Sequence, residues 1–164
     1  MEDVVIVDAA RSAVGRKNGT LGLVHPSDTL GPVMMKLLER NGVSPDTVDQ
    51  IIGGCINKLA AQGMNITRTA WLSHGGAEGT PCITIDSQCG SSQEAVHLAT
   101  SQLRAGMADV VMACGVENMS RLPIGSDSVG LAPEMGKPVS RSYFEQYEFT
   151  LSLIHISEPT RHNA

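Results

Sequence analysis

Cys89 is the residue whose type and position best fit a nucleophile. It lies at the junction of a strand-like and a helix-like segment. The stretch Ile83-Thr84-Ile85 is a short strand-like run, a polar turn follows it, and residues 91–103 have the spacing of an amphipathic helix. A thiol at such a junction faces the unpaired N–H groups and the positive end of the helix dipole. That position favours the thiolate, which lowers the pKa of a cysteine as a nucleophile near neutral pH requires.

The other cysteines and the nearest histidine are the alternatives to this interpretation. Buried cysteines are common, so spacing alone leaves open that Cys89 is a core residue, as Cys55 and Cys82 are expected to be. His97 lies more than two turns into the same predicted helix, so we interpret it as a structural or surface residue, and a general base must come from elsewhere. Together with Cys114, the cysteines form no CxxC or zinc-type spacing, so we predict free thiols and no metal site.

The elements that position Cys89 follow from the alternation of apolar runs and amphipathic segments. Strands are predicted at 4–7, 51–56, 81–85 and 109–113, and helices at about 27–41, 65–74 and 91–103. The run at 4–7 is apolar throughout, which is typical of a strand buried on both faces. We therefore predict an α/β fold, a mostly parallel sheet with helices on both faces, and an irregular loop at 11–23.

Start and stop signals set the expected ends of the first helices. Ser27 or Asp28 is the predicted N-cap of the first helix, and Gly42 is its stop signal. Pro32 must then lie in the first turn or kink the helix. Ser44, followed by proline, is predicted to cap a further short helix.

The composition and the net charge indicate which kinds of partner and which cellular compartment to expect. Hydrophobic residues make up 41% of the 164 residues and the formal net charge is −5, which is typical of a globular protein. No cluster of Lys or Arg stands out, so neither nucleic acid nor a membrane surface is an expected partner. We see no signal peptide or membrane span, and we expect a cytoplasmic protein.

Five stretches, in order, resemble the thiolase family. The segment around Cys89 resembles the turn in which thiolases carry their nucleophile at the start of a central helix. The others resemble the family's opening motif, a glycine-rich strand end, a subunit-interface segment and a Gly-Gly-x-Glu-Ser-Met-Ser signature. They are Asp8-Ala9-Ala10-Arg11-Ser12-Ala13-Val14-Gly15, Gly53-Gly54-Cys55, Gly63-Met64-Asn65-Ile66-Thr67-Arg68 and Cys114-Gly115-Val116-Glu117-Asn118-Met119-Ser120. The resemblance covers residues 1 to about 125 and implies that Cys89 accepts the acyl group.

Two positions depart from the family pattern. Ser92 stands where most thiolases have Gly, and Asp86 stands where many have Asn. Ketoacyl synthases also carry Ser-Ser after their cysteine, so we expect Ser92 to fit sterically. Gly90, Ser91 and Ser92 are small and are expected to keep the approach to the thiol open. The Asp-x-Gln-Cys-Gly-Ser run, with Trp71-Leu72, resembles thiolases of actinobacterial lipid and steroid side-chain breakdown.

The resemblance implies an activity and also what this chain lacks. Thiolases interconvert a 3-ketoacyl-CoA plus CoA with acetyl-CoA plus a shortened acyl-CoA, through an acyl thioester on the first cysteine. Coenzyme A thioesters are thus the expected substrates, with no separate cofactor, and the full-length enzyme is expected to be a homodimer or homotetramer. The family's catalytic His and second Cys lie in Gly-His-Pro and Cys-x-Gly-Gly motifs, neither of which occurs here. We therefore expect this fragment to be inactive.

The resemblance also divides the chain. Residues 1–125 correspond to one α/β half of the layered αβαβα thiolase fold, and 126–150 to the start of its loop domain. Residues 151–164 resemble translated sequencing-adapter DNA, and they are left out of the fold prediction as a non-native tail. Two other functions stay open: a ketoacyl synthase-like condensing enzyme, and a non-catalytic module for acyl-CoA binding or oligomerisation.

Overall fold

The computed structural model describes residues 3–127 and 140–142, and in them helices alternate with strands. The helices are α1 (Pro26–Arg40), α2 (Ile66–Ser73) and α3 (Ser91–Arg104), and the strands are β1 (Gln50–Gly54), β2 (Cys82–Ile85) and β3 (Val111–Gly115). Single 3-10 turns span Thr20–Leu23, Pro45–Thr47 and Ala60–Gln62. The predicted elements from residue 27 to residue 115 are confirmed, with ends shifted by one or two residues.

The three strands form a parallel sheet in the order β2-β1-β3. Ile52 of β1 lies beside Ile83 on one side and Ala113 on the other. Because the strands are parallel, their carboxyl ends meet at one edge, and the segments after β1, β2 and β3 lie close together there. This edge positions the segment that contains Cys89.

Helices cover both faces of this sheet, as predicted. Successive side chains of a strand point to opposite faces, and Ile51 and Ile52 of β1 are each 0% exposed. Ile51 lies in a cluster with residues of α1 and α2, among them Met34 and Trp71. Ile52 packs in a second cluster with Ala95 of α3. Since the central contact residues of α3 are alanines, this helix can lie close to the sheet.

Helix α1 begins earlier than predicted. Its N-cap is His25, whose Nδ1 accepts a hydrogen bond from Ser27 N at 3.2 Å, and Pro26 is the first helical residue. The prediction of Ser27 or Asp28 as the N-cap is therefore wrong, because an imidazole nitrogen supplies the acceptor instead. Pro32 consequently lies inside the helix, beyond its first turn. The predicted stop is confirmed, since Gly42 has a φ of +63°.

The predicted strand at 4–7 is wrong. This run has no regular secondary structure, and its side chains are exposed, Ile6 to 80%. A strand needs a hydrogen-bonding neighbour, and no segment within 3–127 pairs with this run. The segment is tied to the domain through Asp8, whose carboxylate accepts hydrogen bonds from Arg40 and Asn41. These contacts hold the pKa of Asp8 well below its usual range.

The described helices include none that is both long and apolar enough to cross a membrane. The predicted loop-domain start at 126–150 lies almost wholly outside the described residues, and the tail at 151–164 lies entirely outside them.

Candidate active site

Cys89 is exposed on a tight turn between β2 and α3. Gln88, just before it, has a φ of +49°, a left-handed conformation that is uncommon and costly for residues other than glycine. The turn is held by Asp86, whose Oδ1 accepts a hydrogen bond from Gln88 N at 2.8 Å. This backbone conformation places Cys89 one residue before Gly90, the N-cap of α3, so the predicted position between the strand and the helix is confirmed.

Ser91 stabilises the turn from inside. It is only 4% exposed. Its hydroxyl accepts a hydrogen bond from Ser87 N at 2.9 Å and donates one to Gln88 O at 2.5 Å. Ser91 also lines the space beside Cys89, so its predicted place next to the approach to the thiol is kept, and the hydrogen bonds add a second role. Its small side chain is used to close the backbone of the turn.

Two strand-end glycines let the N-terminus of α3 approach the sheet. A Cβ at Gly54 would lie 2.5 Å from Ser92 N, and a Cβ at Gly115 would lie 2.0 Å from Ser92 Oγ. Either distance is far below van der Waals contact. The Gly-Gly end of β1 is thus required for packing, and Ser92 fits because residue 115 has no side chain.

A cavity of about 250 Å³ lies between this turn and the ends of β1 and β3. We call it the Cys89 cavity. Its lining residues are Gly54, Cys55, Ile56, Gln88, Cys89, Ser91, Ser92, Gly115, Val116 and Glu117. Ligands of parallel α/β sheets bind outside the carboxyl ends of the strands, and this cavity has that position. It places the Cys89 thiol beside a space large enough for a small acyl group.

Glu117 joins the two strand ends that wall this cavity. Its carboxylate accepts hydrogen bonds from Ile56 N at 2.8 Å, from Gln62 Nε2 at 2.7 Å and from Asn57 Nδ2 at 3.2 Å. Charged acceptors make roughly twice as strong a hydrogen bond as neutral ones. Glu117 therefore fixes the segment after β1 against the segment after β3, and with it the shape of the cavity wall.

Asn118, the next residue of the same motif, forms hydrogen bonds to the loop before α1. Asn118 Nδ2 donates to Val24 O at 3.1 Å, and Ser120 Oγ accepts from Asn18 N at 2.9 Å. The Glu-Asn-Met-Ser stretch thus connects β3 both to the segment after β1 and to the loop before α1. Sequence reasoning used this stretch only to identify a family. It missed the roles of Glu117 and Gln62, because their contacts join residues that are distant in sequence.

The four cysteines have different environments. Cys55 and Cys82 are buried, Cys114 is partly buried and Cys89 is exposed. All four are free thiols, as predicted. Burial, reinforced by the Glu117 carboxylate, raises the pKa of Cys55 to about 12. Burial also raises the pKa of Cys114 to about 12 and the pKa of Cys82 above its usual value. The raised pKa values make these three thiols poor nucleophiles near neutral pH.

The site's polar surroundings include one ion pair but no histidine among its lining residues. Asp86 Oδ2 lies 3.0 Å from Lys58 Nζ, so the carboxylate that departs from the family pattern has a cationic partner. His97 is not in the cavity; its side chain is 60% exposed and contacts Glu94 on the surface of α3. The interpretation of His97 as a surface residue is confirmed. The one carboxylate that lines the described cavity, Glu117, already accepts hydrogen bonds from Ile56 N, Asn57 Nδ2 and Gln62 Nε2.

A parallel sheet with helices on both faces places the chain in the class of layered α/β proteins. Within that class, the chain belongs to the thiolase family. The family model described as the thiolase N-terminal domain matches residues 4–143. The predicted resemblance is therefore confirmed, and so is the predicted fold class.

Named relatives agree with this assignment. The chain is 41% identical to the steroid 3-ketoacyl-CoA thiolase FadA6 of Mycobacterium tuberculosis, over 77% of this chain and 31% of that protein. It is 36% identical to a 3-ketoacyl-CoA thiolase of Chromohalobacter salexigens, over 85% and 36% of the two chains. The crystal structure of Bacillus anthracis acetyl-CoA acetyltransferase matches with a TM-score of 0.59 and 37% identity, over 65% of this chain and 27% of that chain. The chain thus spans about a third of the length of these curated relatives.

Proposed function

We propose that Cys89 accepts an acyl group from a coenzyme A thioester, as the first half of acyl transfer between 3-ketoacyl-CoA and acetyl-CoA. The observation that carries this proposal is the position of Cys89. It is exposed on a constrained turn beside a cavity, whereas the other three thiols have pKa values raised by burial. The names of the matched relatives support acyl-CoA as the substrate class.

The chemical step uses the thiolate of Cys89. Written from acetyl-CoA, its sulfur attacks the carbonyl carbon of the thioester, a new C–S bond forms, and the bond to the CoA sulfur breaks, so that CoA leaves as a thiolate and takes up a proton. In the degradative direction the sulfur attacks the 3-keto carbon of the 3-ketoacyl-CoA, the bond between C2 and C3 breaks, and acetyl-CoA leaves as its C2 takes up a proton. The first turn of α3 has no side-chain cap. Its free N–H groups and the positive dipole end favour the negative charge on the attacking sulfur.

The complete reaction needs acid–base groups that do not line the Cys89 cavity. Such groups contribute on the order of 10²–10⁴-fold each to an enzymatic rate. We propose that the full-length protein supplies them, by resemblance a histidine and a second cysteine, and that it is a cytoplasmic homodimer or homotetramer. Its substrates would be intermediates of lipid or steroid side-chain degradation, as the name of the mycobacterial relative favours. The 164-residue chain is expected to show no thiolysis of acetoacetyl-CoA above background.

Acyl transfer to the thiol tests the first part of this proposal. The chain is incubated with acetyl-CoA, digested and mapped by mass spectrometry, alongside Cys89→Ala and Cys114→Ala variants. We expect an acetyl thioester on Cys89 in the wild type and in Cys114→Ala, and none in Cys89→Ala. Iodoacetamide labelling should follow the same order, because a thiol of pKa about 12 is ionised in only about one molecule in 10⁴ at pH 8.

Two outcomes would reject the proposal. Equal acetylation of Cys55 or Cys114 would remove the special role of Cys89. Binding of acetyl-CoA without any thioester, even in the full-length protein, would favour a non-catalytic binding module. Turnover of acetoacetyl-CoA by the 164-residue chain would instead contradict only the expectation that this part of the enzyme is inactive alone.

A further inference from the structure

We propose that Ser92 limits the size of the group that Cys89 can accept, so that unbranched acyl groups are preferred over groups branched next to the carbonyl. This inference rests on the proposed acyl transfer, but its steric core can be tested without it. It follows from two observations: the Ser92 side chain lies in the wall of the Cys89 cavity, and its hydroxyl forms no hydrogen bond within the described residues.

Ser92 belongs to the wall of the Cys89 cavity. It is the second residue of α3, three positions after Cys89, and it lines the same space of about 250 Å³. Its Oγ lies 2.0 Å from where a Cβ of Gly115 would stand. The side chain therefore occupies the room that the glycine leaves free at the end of β3.

The packing around Ser92 holds its backbone on the side that faces the sheet, while the residue itself is exposed. Its backbone N would lie 2.5 Å from a Cβ at Gly54, so the first turn of α3 rests directly on the end of β1. The residue cannot shift toward the sheet, because the backbone of β1 is already there. A larger group on Cys89 thus meets a Ser92 side chain whose backbone cannot retreat toward β1.

The hydroxyl of Ser92 also differs from that of its neighbour. Ser91 Oγ makes two hydrogen bonds within the turn, to Ser87 N and to Gln88 O. Within residues 3–127 and 140–142, Ser92 Oγ makes no side-chain hydrogen bond to the protein. The turn therefore does not need the Ser92 hydroxyl for its own stability, and replacing Ser92 changes the cavity rather than the turn.

The test compares acyl groups of different width in Ser92→Gly, Ser92→Ala, Ser92→Thr and the wild type. Initial rates of Cys89 acylation are measured by mass spectrometry with acetyl-CoA and with isobutyryl-CoA, which adds a branch next to the carbonyl. One methylene group in a fitted pocket typically changes selectivity by about 10–200-fold. We expect the isobutyryl-to-acetyl rate ratio to rise about tenfold in Ser92→Gly, with Ser92→Ala between it and the wild type. Ser92→Thr should lower the ratio.

A second measurement separates this inference from the proposed function. Alkylation of Cys89 by iodoacetamide and by the wider N-ethylmaleimide needs no acyl transfer, and Ser92→Gly should raise the maleimide-to-iodoacetamide ratio in the same direction. If wild-type Cys89 takes no acyl group but this ratio rises, the proposed function fails and the steric role of Ser92 stands. An unchanged ratio across the four proteins overturns the inference.

Two further variants guard against indirect effects. Ser101→Gly removes a serine from the same helix outside the cavity, where its hydroxyl bonds to His97 O at 2.9 Å, and it should leave both ratios unchanged. Gly115→Ala should clash with Ser92 Oγ at 2.0 Å and approach Gly54 O at 3.0 Å, so Gly115→Ala combined with Ser92→Gly should recover part of the lost Cys89 reactivity. A double variant as impaired as Gly115→Ala alone would contradict the contact on which the inference depends.

Discussion

Two segments of this chain have nearly the same sequence and opposite structures. Asp3-Val4-Val5-Ile6-Val7 and Asp109-Val110-Val111-Met112-Ala113 both begin with aspartate and two valines and continue with apolar residues. The first is an exposed irregular segment, with Ile6 80% exposed. The second enters β3, where Met112 is 7% exposed. We call them the first run and the second run.

The surroundings of the second run explain the difference. It pairs with β1 from Val111 onward, and Met112 packs in the cluster that contains Ile51 and Trp71. Its start is held by Asp49, whose Oδ2 accepts hydrogen bonds from Asp109 N at 2.8 Å and from Val110 N at 2.9 Å. Within 3–127 the first run has neither a paired strand nor a covering helix. An apolar run is thus only a candidate strand until a neighbouring edge is available.

The largest expected difference between the two runs is in amide hydrogen exchange. Exchange free energies range from about zero in frayed segments to the full unfolding free energy in the core. We expect the Val5 to Val7 amides to exchange at nearly the free-peptide rate, and the β3 amides that bond to β1 to be protected roughly 10³-fold or more. Exchange measured by NMR or by mass spectrometry of peptic peptides checks this. Similar protection in both runs would mean that the first run is paired in solution.

Matched truncations should separate the runs by unfolding free energy. Met112→Ala should cost about 2–5 kcal/mol, because it leaves a space in the buried cluster. Ile6→Ala should change stability by less than about 0.5 kcal/mol, as surface substitutions usually do. Urea unfolding followed by circular dichroism measures both. The comparison fails if Ile6→Ala proves as destabilising as Met112→Ala.

A smaller effect is expected where α3 rests on the sheet beside the second run. Gly54→Ala should cost about 1–3 kcal/mol, since its Cβ would lie 2.5 Å from Ser92 N. It should also slow Cys89 alkylation or make it less selective, because α3 must move. Gly79→Ala is the matched control, since a Cβ there meets nothing within 4 Å. Equal stability of the two variants would show that the close approach of α3 to β1 is not required.

The smallest expected effect is on the stability of the domain at acidic pH. The two backbone N–H groups that bond to Asp49 lower its pKa in the folded state below the unfolded value. Its contribution to stability is therefore present above the unfolded pKa and is lost as the pH falls through the folded pKa. Asp49→Asn should lower the urea midpoint at pH 7 and reduce the fall between pH 5 and pH 2, whereas Asp3→Asn should do neither. An unchanged acid dependence in Asp49→Asn would show that this contact does not fasten the second run.

Much of this fold could be predicted from local sequence. The apolar stripe of Ala95 and Ala99 predicted α3, and Gly42 predicted the end of α1. The position of Cys89 between a strand and a helix was equally readable, because the turn that presents it is built from residues 86–91 alone. Hydrophobic periodicity and turn chemistry are properties of neighbours along the chain, so a single sequence contains them.

The remaining features were decided by contacts between distant residues. Glu117 became part of the site by bonding to Ile56 and Gln62, residues 61 and 55 positions away. Ser92 became a cavity wall because Gly115, on another strand, has no side chain. The structures of the two runs follow from what lies beside them, since one borders β1 and the other borders no strand within 3–127. The sequence by itself determined most of the elements and the position of Cys89 between a strand and a helix, whereas pairing, burial and cavity shape depend on which surfaces meet when the chain folds.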